Sequence, residues 1–459
     1  MFSDLIKELG QHTGAGSKAR KLDVLKAWSD IEGIKTFLSA VCDPSIVYHI
    51  SKYSLPEEHG DKILDKQTIQ EFVDTLYGRK KTGNDAIEYV NDLCTTLTPD
   101  EQKLINLIFN RNLGVGVGVA LINEVFEDLI HIESYSRCQN ASKKNLGKAN
   151  LEKGFYSQIK MDGKFGNHKV YEDRPTIMTS RYGIPWPRIT QYIMDRVDGF
   201  AEGKVYTGEL TVWDNLNNEI LVREDGNGKL MKFEYGDDTG FVPDENGHTR
   251  YTINFTIWDM IDIKCWEAGL DKTPYKERYE NMVKLPINER ESIISFPTNN
   301  IVRSIEDAAI YFTHAVEDGE EGTVLKDPDG PWKHNTSTGT PYQIKFKIIA
   351  ESEVMITGFE EGKGKYEGTV GSIMYESSDG LVSGTCSGIT DKMRKAMNDN
   401  REYFKGQIFT ARYNNILQSD EGTYTLYLPR FVEIRNDKDM ADDLKHIFED
   451  FENAKQFKV

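Results

Sequence analysis

The stretch GFYSQIKMDGKFGNHKVYE (residues 154–172) sets Lys160, Asp162 and Gly163 at a break between two strand-like runs. A primary amine beside a chain reversal is either a solvated strand-end lysine or a nucleophile, and this stretch alone leaves both readings open. Five more short runs carry candidate groups. TSRYG puts Arg181 at a strand end, TGEL offers Glu209, and TIWD sets Trp258 before Asp259. EEGTVLK offers Glu321 and Lys326, and YQIKFK offers Lys345 and Lys347. In the last run, strand alternation puts both lysines on one face and Ile344 and Phe346 on the other. Taken singly, each of these carboxylates and lysines reads as a solvated strand end, and Trp258 reads as core.

The elements that must position them change character along the chain. The first ~130 residues read as helical. TPDEQKLINLIFNRNLG has Thr98 as N-cap, Pro99 at the first helical position and Glu101 closing a capping box. Leu104, Ile105, Ile108 and Phe109 then mark one apolar face, with Gly114 as the stop. A further helix begins near TGNDAIEYVNDL. NLGVGVGVALINEVF is glycine-rich but lacks the Gly-Lys-Ser/Thr ending of a phosphate-binding Walker loop. From residue 154 the runs FYSQIK, PTIMTS, VYTGELTVWD, INFTIWDMI, EGTVLKD and YQIKFKII read as strands, with helices at YKERYENMVKL and SIEDAAIYFTHAVEDG. That is an α+β pattern with mainly antiparallel sheets. After about residue 350 short strands dominate (SEVMITGFE, VGSIMYES, GQIFTARYN, GTYTLYLPRFVEIR), as in a small barrel, before an acidic amphipathic tail.

Composition bounds the setting. The 459 residues fit about three domains. No apolar run is long enough to span a bilayer, and the N-terminus lacks the apolar core of a signal peptide. The five cysteines, Cys42, Cys94, Cys138, Cys265 and Cys386, form no C-x-x-C motif and suit a reduced compartment. The net charge of −18 is spread evenly, at −6 for each of residues 1–130, 131–349 and 350–459. A nucleic-acid surface must therefore be a local patch. Residues 131–160, with six basic and two acidic side chains, are the candidate; the plain alternative is a solvated linker.

Order turns the weak candidates into a strong signal. Lys-x-Asp-Gly, then Arg181, Glu209, an aromatic before Asp259, Glu321-Gly322 and Lys345-x-Lys347 resembles the motif series of the covalent nucleotidyltransferases. RFVEIRNDK adds Arg435 to Lys438, similar to that superfamily's sixth motif. Within it, the chain resembles the ATP-dependent DNA ligases of the T-even-phage type over essentially its whole length: TGNDAIEYV and NRNLGVGVGVALINEVF look like their helical DNA-binding domain, and IRNDK with HIFEDF like their C-terminal end.

This resemblance implies a multidomain protein: an all-α DNA-binding domain over 1–131, an α+β adenylyltransferase domain with antiparallel sheets over 132–349, and an OB-fold β-barrel over 350–459. It implies that Lys160 attacks the α-phosphorus of ATP to form lysyl-AMP, that AMP passes to the 5′-phosphate of a nick, and that the 3′-hydroxyl then displaces it. An amine near its reference pKa of ~10.4 is only about 0.1% neutral at pH 7.4, so the cations Lys345, Lys347 and a divalent metal would have to help expose its lone pair. Glu209 and Glu321 are the expected holders of Mg²⁺ or Mn²⁺, and Glu209 also lies on the nucleotide side. Trp258 would stack on adenine and Gln158 would read its exocyclic amine. Arg181, Lys345 and Lys347 would face the nucleotide, and Arg435 and Lys438 the pyrophosphate. The implied partner is nicked double-stranded DNA encircled by a monomer in the cytoplasm of an infected bacterium, with no membrane role.

The likeness departs from the family at two places. Such ligases usually have an arginine, in contact with the nucleotide, two residues past the motif glycine; this chain has Phe165, and the adjacent Lys164 points to the other face. The arginine that often precedes the Lys-x-Lys strand is missing, with only Lys333 or His334 nearby. Two rivals use the same residues. An RNA ligase or capping guanylyltransferase shares the lysine motif but not this combination of helical N-terminus and sixth motif. A non-catalytic nick-binding protein would not need Lys160, Asp162, Glu209, Glu321, Lys345 and Lys347 together. The absence of a four-cysteine zinc module speaks against NAD⁺ as donor. Since the overall charge is negative, affinity for nicked duplex is expected to fall steeply above ~0.1 M salt. A flat affinity across a salt titration would remove the local-patch reading.

Overall fold

The computed structural model describes all residues except 1, 15, 51–52, 246, 287, 290–292, 364–365, 420–421 and 456–459. Its backbone divides into two compact units. One comprises Met1–Ile132, Tyr182–Ile184 and Glu361–Gly371; the other comprises Glu133–Arg181, Pro185–Glu360 and Ser372–Val459.

The first unit is helical. Phe2, Leu5 and Leu9 of the helix Phe2–Gly10 meet Phe37 and Leu38, Ile69 and Phe72, and Leu104, Ile105 and Ile108 in one apolar core. The helix Pro99–Asn110 starts as its sequence predicts, with the Thr98 hydroxyl accepting from the Glu101 amide. The reciprocal half of the capping box does not form. The Glu101 carboxylate is buried and accepts instead from the Ser3 hydroxyl at 2.6 Å and the Leu64 amide at 2.9 Å. A carboxylate this deep is spent on joining segments rather than on its own helix end. The helix also stops before Gly114, at Arg111, whose φ of 50° is left-handed and whose guanidinium donates to the Asp43 carbonyl.

The second unit carries two larger sheets before residue 350. One runs in the order Ser136–Asn140, Asn335–Lys347, Gly322–Lys326, Phe155–Ile159, Asn300–Val302, with antiparallel pairing except at its first pair. The other runs Ile294–Ser295, Tyr251–Asp262, Lys204–Asp214, Lys164–Val170, Ile177–Ser180, again antiparallel except at its first pair. The Lys160–Gly163 turn is therefore the link from one sheet to the other. On Asn335–Lys347 the alternation holds: Ile344 and Phe346 are fully buried, and Lys345 and Lys347 are half-buried. Each apolar partner contributes about 1.5–3 kcal/mol, which sets the register and so the face of both lysines.

Residues 350–455 add a sheet in the order Ser383–Cys386, Val370–Glu376, Ala350–Glu361, Ile408–Tyr413, Arg430–Ile434 and a hairpin, Asn415–Gln418 with Tyr424–Tyr427. A parallel bridge joins Ser387 to Arg430, linking the chain just past one edge strand to the other edge. GTYTLYLPRFVEIR, read as one strand from sequence, is two, because Leu428 turns left-handed (φ 52°) ahead of Pro429. The acidic tail forms the helix Leu444–Lys455.

Two buried polar features brace the sheet that leads away from the turn. Glu133 accepts from Thr179 at 2.8 Å and pairs with Lys169 at 2.7 Å, so it does not contribute to the surface of the 131–160 segment. His168 is fully buried against the rings of Phe200 and Tyr206, and neither ring nitrogen has a hydrogen-bond partner. Burial pushes its pKa down to about 3. A depressed histidine makes the unfolded chain bind the extra proton, so stability is full above the unfolded value of ~6.5 and falls by up to about 1.4 kcal/mol per pH unit below it. His168→Phe is expected to reduce that acid slope between pH 6.5 and 4 in chemical denaturation; an unchanged slope would mean that His168 does not contribute to it.

Candidate active site

Lys160 follows directly on the strand Phe155–Ile159, and its backbone amide donates to the Gly322 carbonyl at 2.9 Å. That bond brings the lysine next to Glu321, with which its Nζ forms an ion pair. Two residues on, Asp162 meets Arg223, and the Gly163 amide donates to Glu209 Oε1 at 3.1 Å. Gly163 has no room for a side chain: a Cβ there would lie 2.3 Å from the Leu210 carbonyl and 3.0 Å from the Glu209 side chain. The same tightness recurs at Gly322, whose φ of 139° and 2.3 Å approach to the Phe346 carbonyl also exclude a Cβ. Glycine is thus required at both ends of the cradle that holds the amine.

The electrostatics are those of buried and half-buried charges of both signs held close together. Burial raises the Glu209 pKa to about 7, against the pull of Lys160, the Gly163 amide and Arg223. Asp162 is also raised, by burial and by Glu321, which together outweigh the Arg223 cation. Burial lowers the pKa of Lys345 and of Lys347, and Lys347 Nζ donates to Asn414 Oδ1 at 2.8 Å. At Glu209 and Asp162 burial outweighs the nearby positive charge, and a bound cation would relieve that.

An aromatic wall closes another side. Phe165 lies opposite Glu209 in strand register. Its ring meets Tyr135 at 5.1 Å, edge-on, and Trp258 at 6.0 Å. Arg181 stacks on Tyr135 at 4.1 Å. Lys164 points the other way, as alternation predicts, with its amine 5.5 Å from the Trp186 ring. Behind Trp258 is a buried polar network. Its carbonyl accepts from the Tyr275 hydroxyl at 2.8 Å and from Lys326 Nζ at 3.2 Å, and burial takes Lys326 down to about 8. The neighbouring Asp259 is held by both Nε and Nη2 of Arg278, at 2.8 and 2.9 Å. Gln158 is buried, and its amide nitrogen donates to Tyr275 and Asn299.

Not every expected residue joins this cluster. Arg435 pairs with Glu353 and Asp437, and Lys438 with Glu353, all within the C-terminal part of the chain. His334 accepts from the Tyr135 amide, while Lys333 sits exposed on a two-residue strand. Arg223 is the residue that motif reading missed. It opens the helix Arg223–Glu234, a stretch whose Gly226 and Gly228 disguise it, each costing about 1 kcal/mol against alanine. Leu230 and Phe233, both buried, are the signal that could have found that helix.

Residues 136–347 match the family model described as the ATP-dependent DNA ligase domain. The chain carries an ATP-dependent DNA ligase domain. The whole chain is similar to the DNA ligases of Enterobacteria phages T4 and T6, at 23% identity over 97% of this chain and 99% of each relative. A DNA ligase of Methanococcus maripaludis is 27% identical over 43% of this chain and 41% of its own. The solved structure Pmar-Lig_PreS3 shares the fold, with a TM-score of 0.70, 21% identity, and coverage of 95% of this chain and 99% of that one. The Lys160 turn, Glu209, Trp258, Glu321 and the lysine pair all fall inside the ligase domain. The tight fit at Gly163 yields a direct expectation. Gly163→Ala should cut self-adenylylation by roughly 100-fold or more, since a displacement of about 1 Å at reacting groups has that cost. Labelling with α-³²P-ATP would measure it, and near-normal labelling would mean that the turn tolerates a shift.

Proposed function

We propose that this chain seals 5′-phosphate/3′-hydroxyl nicks in duplex DNA with ATP as donor and Lys160 as the carrier of AMP. The observation that carries this reading is the glycine-bound cradle that sets Lys160 against Glu321, beside Glu209, within the ligase domain. In the first step the Lys160 Nζ lone pair forms a bond to the α-phosphorus, the bond to the β-phosphate oxygen breaks, and pyrophosphate leaves as Lys160 gives up its proton. Glu321, bonded to the amine, orients it. AMP then passes from Lys160 to the 5′-phosphate, and the 3′-hydroxyl attacks that phosphate and releases AMP.

Lys345 and Lys347 balance phosphate charge, which is the main work a protein does in phosphoryl-type transfer. Trp258 would stack on adenine, with Phe165 packed beside it. The donor end of Gln158 is engaged by Tyr275 and Asn299, so its carbonyl end is the one that suits an exocyclic amine. Arg181, stacked on Tyr135, borders the same wall.

A magnesium or manganese ion fits the donor set. Among the described residues no group of three or more His, Cys, Asp or Glu is arranged for a metal. Magnesium that takes most of its ligands from phosphate and water needs only one or two carboxylates. Glu209, whose raised pKa marks an undercompensated charge, and Glu321 would hold the ion. Bound there, it would neutralise the triphosphate and its leaving group.

The reading extends to the rest of the chain. Three domains, 1–131, 132–349 and 350–459, would close around nicked duplex as a monomer. The 3-2-1-4-5 strand order of the C-terminal sheet, with its parallel link between the two edges, supports an OB-fold barrel. Arg435 and Lys438 would leave Glu353 to orient pyrophosphate in the first step. No described helix is long and apolar enough to cross a membrane. The similarity to phage ligases favours action in the cytoplasm of an infected bacterium.

The test is adenylylation. Protein mixed with α-³²P-ATP and Mg²⁺ should give a labelled band that nicked duplex discharges with sealing, and Lys160→Ala should give none. If pyrophosphate-stripped protein took label from GTP but not ATP, the donor assignment would be wrong.

A further inference from the structure

Phe165 stands where ligases of this type usually carry an arginine, and its ring is committed to Tyr135 and Trp258. A guanidinium that does reach the Lys-x-Asp-Gly turn comes from elsewhere in the sequence. Arg223 Nη1 lies 3.2 Å from Asp162 Oδ1. One turn further along the same helix, Asn227 donates to the Gly163 carbonyl at 3.3 Å. Two contacts from one helix thus fix Arg223 against the turn that holds Lys160. The helix is itself secured at its other end: Leu230 and Phe233 are buried, and the Glu234 carboxylate accepts from the Ile189 amide at 2.9 Å. Burial opposes the Arg223 charge, and Asp162, Tyr427, Glu321 and Glu209 all favour it.

We propose that Arg223 is a phosphate-binding residue of this site, supplying from the helix Arg223–Glu234 the guanidinium that the motif strand lacks at Phe165. The proposal rests on the ligase reading for its role in the reaction. The chemistry fits. A guanidinium presents paired N–H groups that match two phosphate oxygens, whereas the neighbouring lysines act as point charges. Its present partner does not lock it away. Both Arg223 and Asp162 are 42% exposed, and an ion pair so open to water holds weakly. Asp162 therefore aims the guanidinium and can exchange it for a phosphate of higher charge. That phosphate belongs to ATP or to the 5′ end of the nick.

The experiment uses the full chain and its Arg223→Ala and Arg223→Lys variants, with two readouts. One is the rate of self-adenylylation with α-³²P-ATP. The other is anisotropy of nicked duplexes that carry either a 5′-phosphate or a 5′-hydroxyl. Arg223→Ala should lose roughly 10- to 100-fold in one or both, the range for a charged hydrogen bond, with melting temperature unchanged. Slower labelling with an intact preference for 5′-phosphate identifies the ATP phosphates. Intact labelling with that preference lost identifies the nick. Arg223→Lys should recover only part of the loss. Changes below twofold in both arms would overturn the proposal. So would a loss accompanied by a lowered melting temperature and fully restored by lysine, since a charge that merely anchors the helix behaves that way. A wild-type chain that took no label, yet preferred 5′-phosphate through Arg223, would defeat the ligase reading while leaving the phosphate site standing.

Discussion

The site depends on how closely the Lys160–Gly163 turn lies on the neighbouring strand. With no Cβ at Gly163, the backbone comes near enough to the Leu210 carbonyl for its amide to bond Glu209. That approach fixes where Lys160 leaves one sheet and Phe165 enters the next. The second glycine, Gly322, receives the Lys160 amide on its carbonyl and carries Glu321 with it. Two steric vacancies therefore position an amine and two carboxylates without help from side-chain packing. A backbone constraint of this kind is stiffer than a side-chain one, because no rotamer can relax it.

Behind the pocket the protein spends buried charge to keep the aromatic wall in place. Asp259 and Arg278, each 4% exposed at the side chain, form a two-pronged pair. Removing either partner would strand the other, at about 3–5 kcal/mol. Lys326 and Tyr275 both donate to the Trp258 carbonyl, so the strand is gripped through its backbone while the half-buried indole packs beside Phe165. A buried lysine is a costly way to hold a strand, and it works here because each of its partners is an oxygen fixed by another bond.

Much of this was legible in the sequence because motif residues lie on strands, where period-two alternation settles their faces. Lys345 and Lys347 could be assigned together once Ile344 and Phe346 were assigned to the core, and Lys164 could be set apart from Phe165 by the same rule. Contacts that join distant segments were not legible. Glu101 looks like half of a capping box until Ser3 and Leu64 are brought to it by the fold. Arg223 lies 61 residues from Asp162, on a helix whose glycines resemble a turn. Leu428 shows a different failure: its left-handed φ splits what composition reads as one continuous strand.

Glu353 gives the C-terminal motif an unexpected character. One carboxylate is shared by Arg435 and Lys438, and Asp437 takes a second hold on Arg435. Both cations are thus satisfied within their own segment and offer little net attraction to a distant anion. Only a ligand with several closely spaced charges can compete for both at once. The two cations are thereby coupled: whatever draws one away from Glu353 leaves that carboxylate wholly to the other.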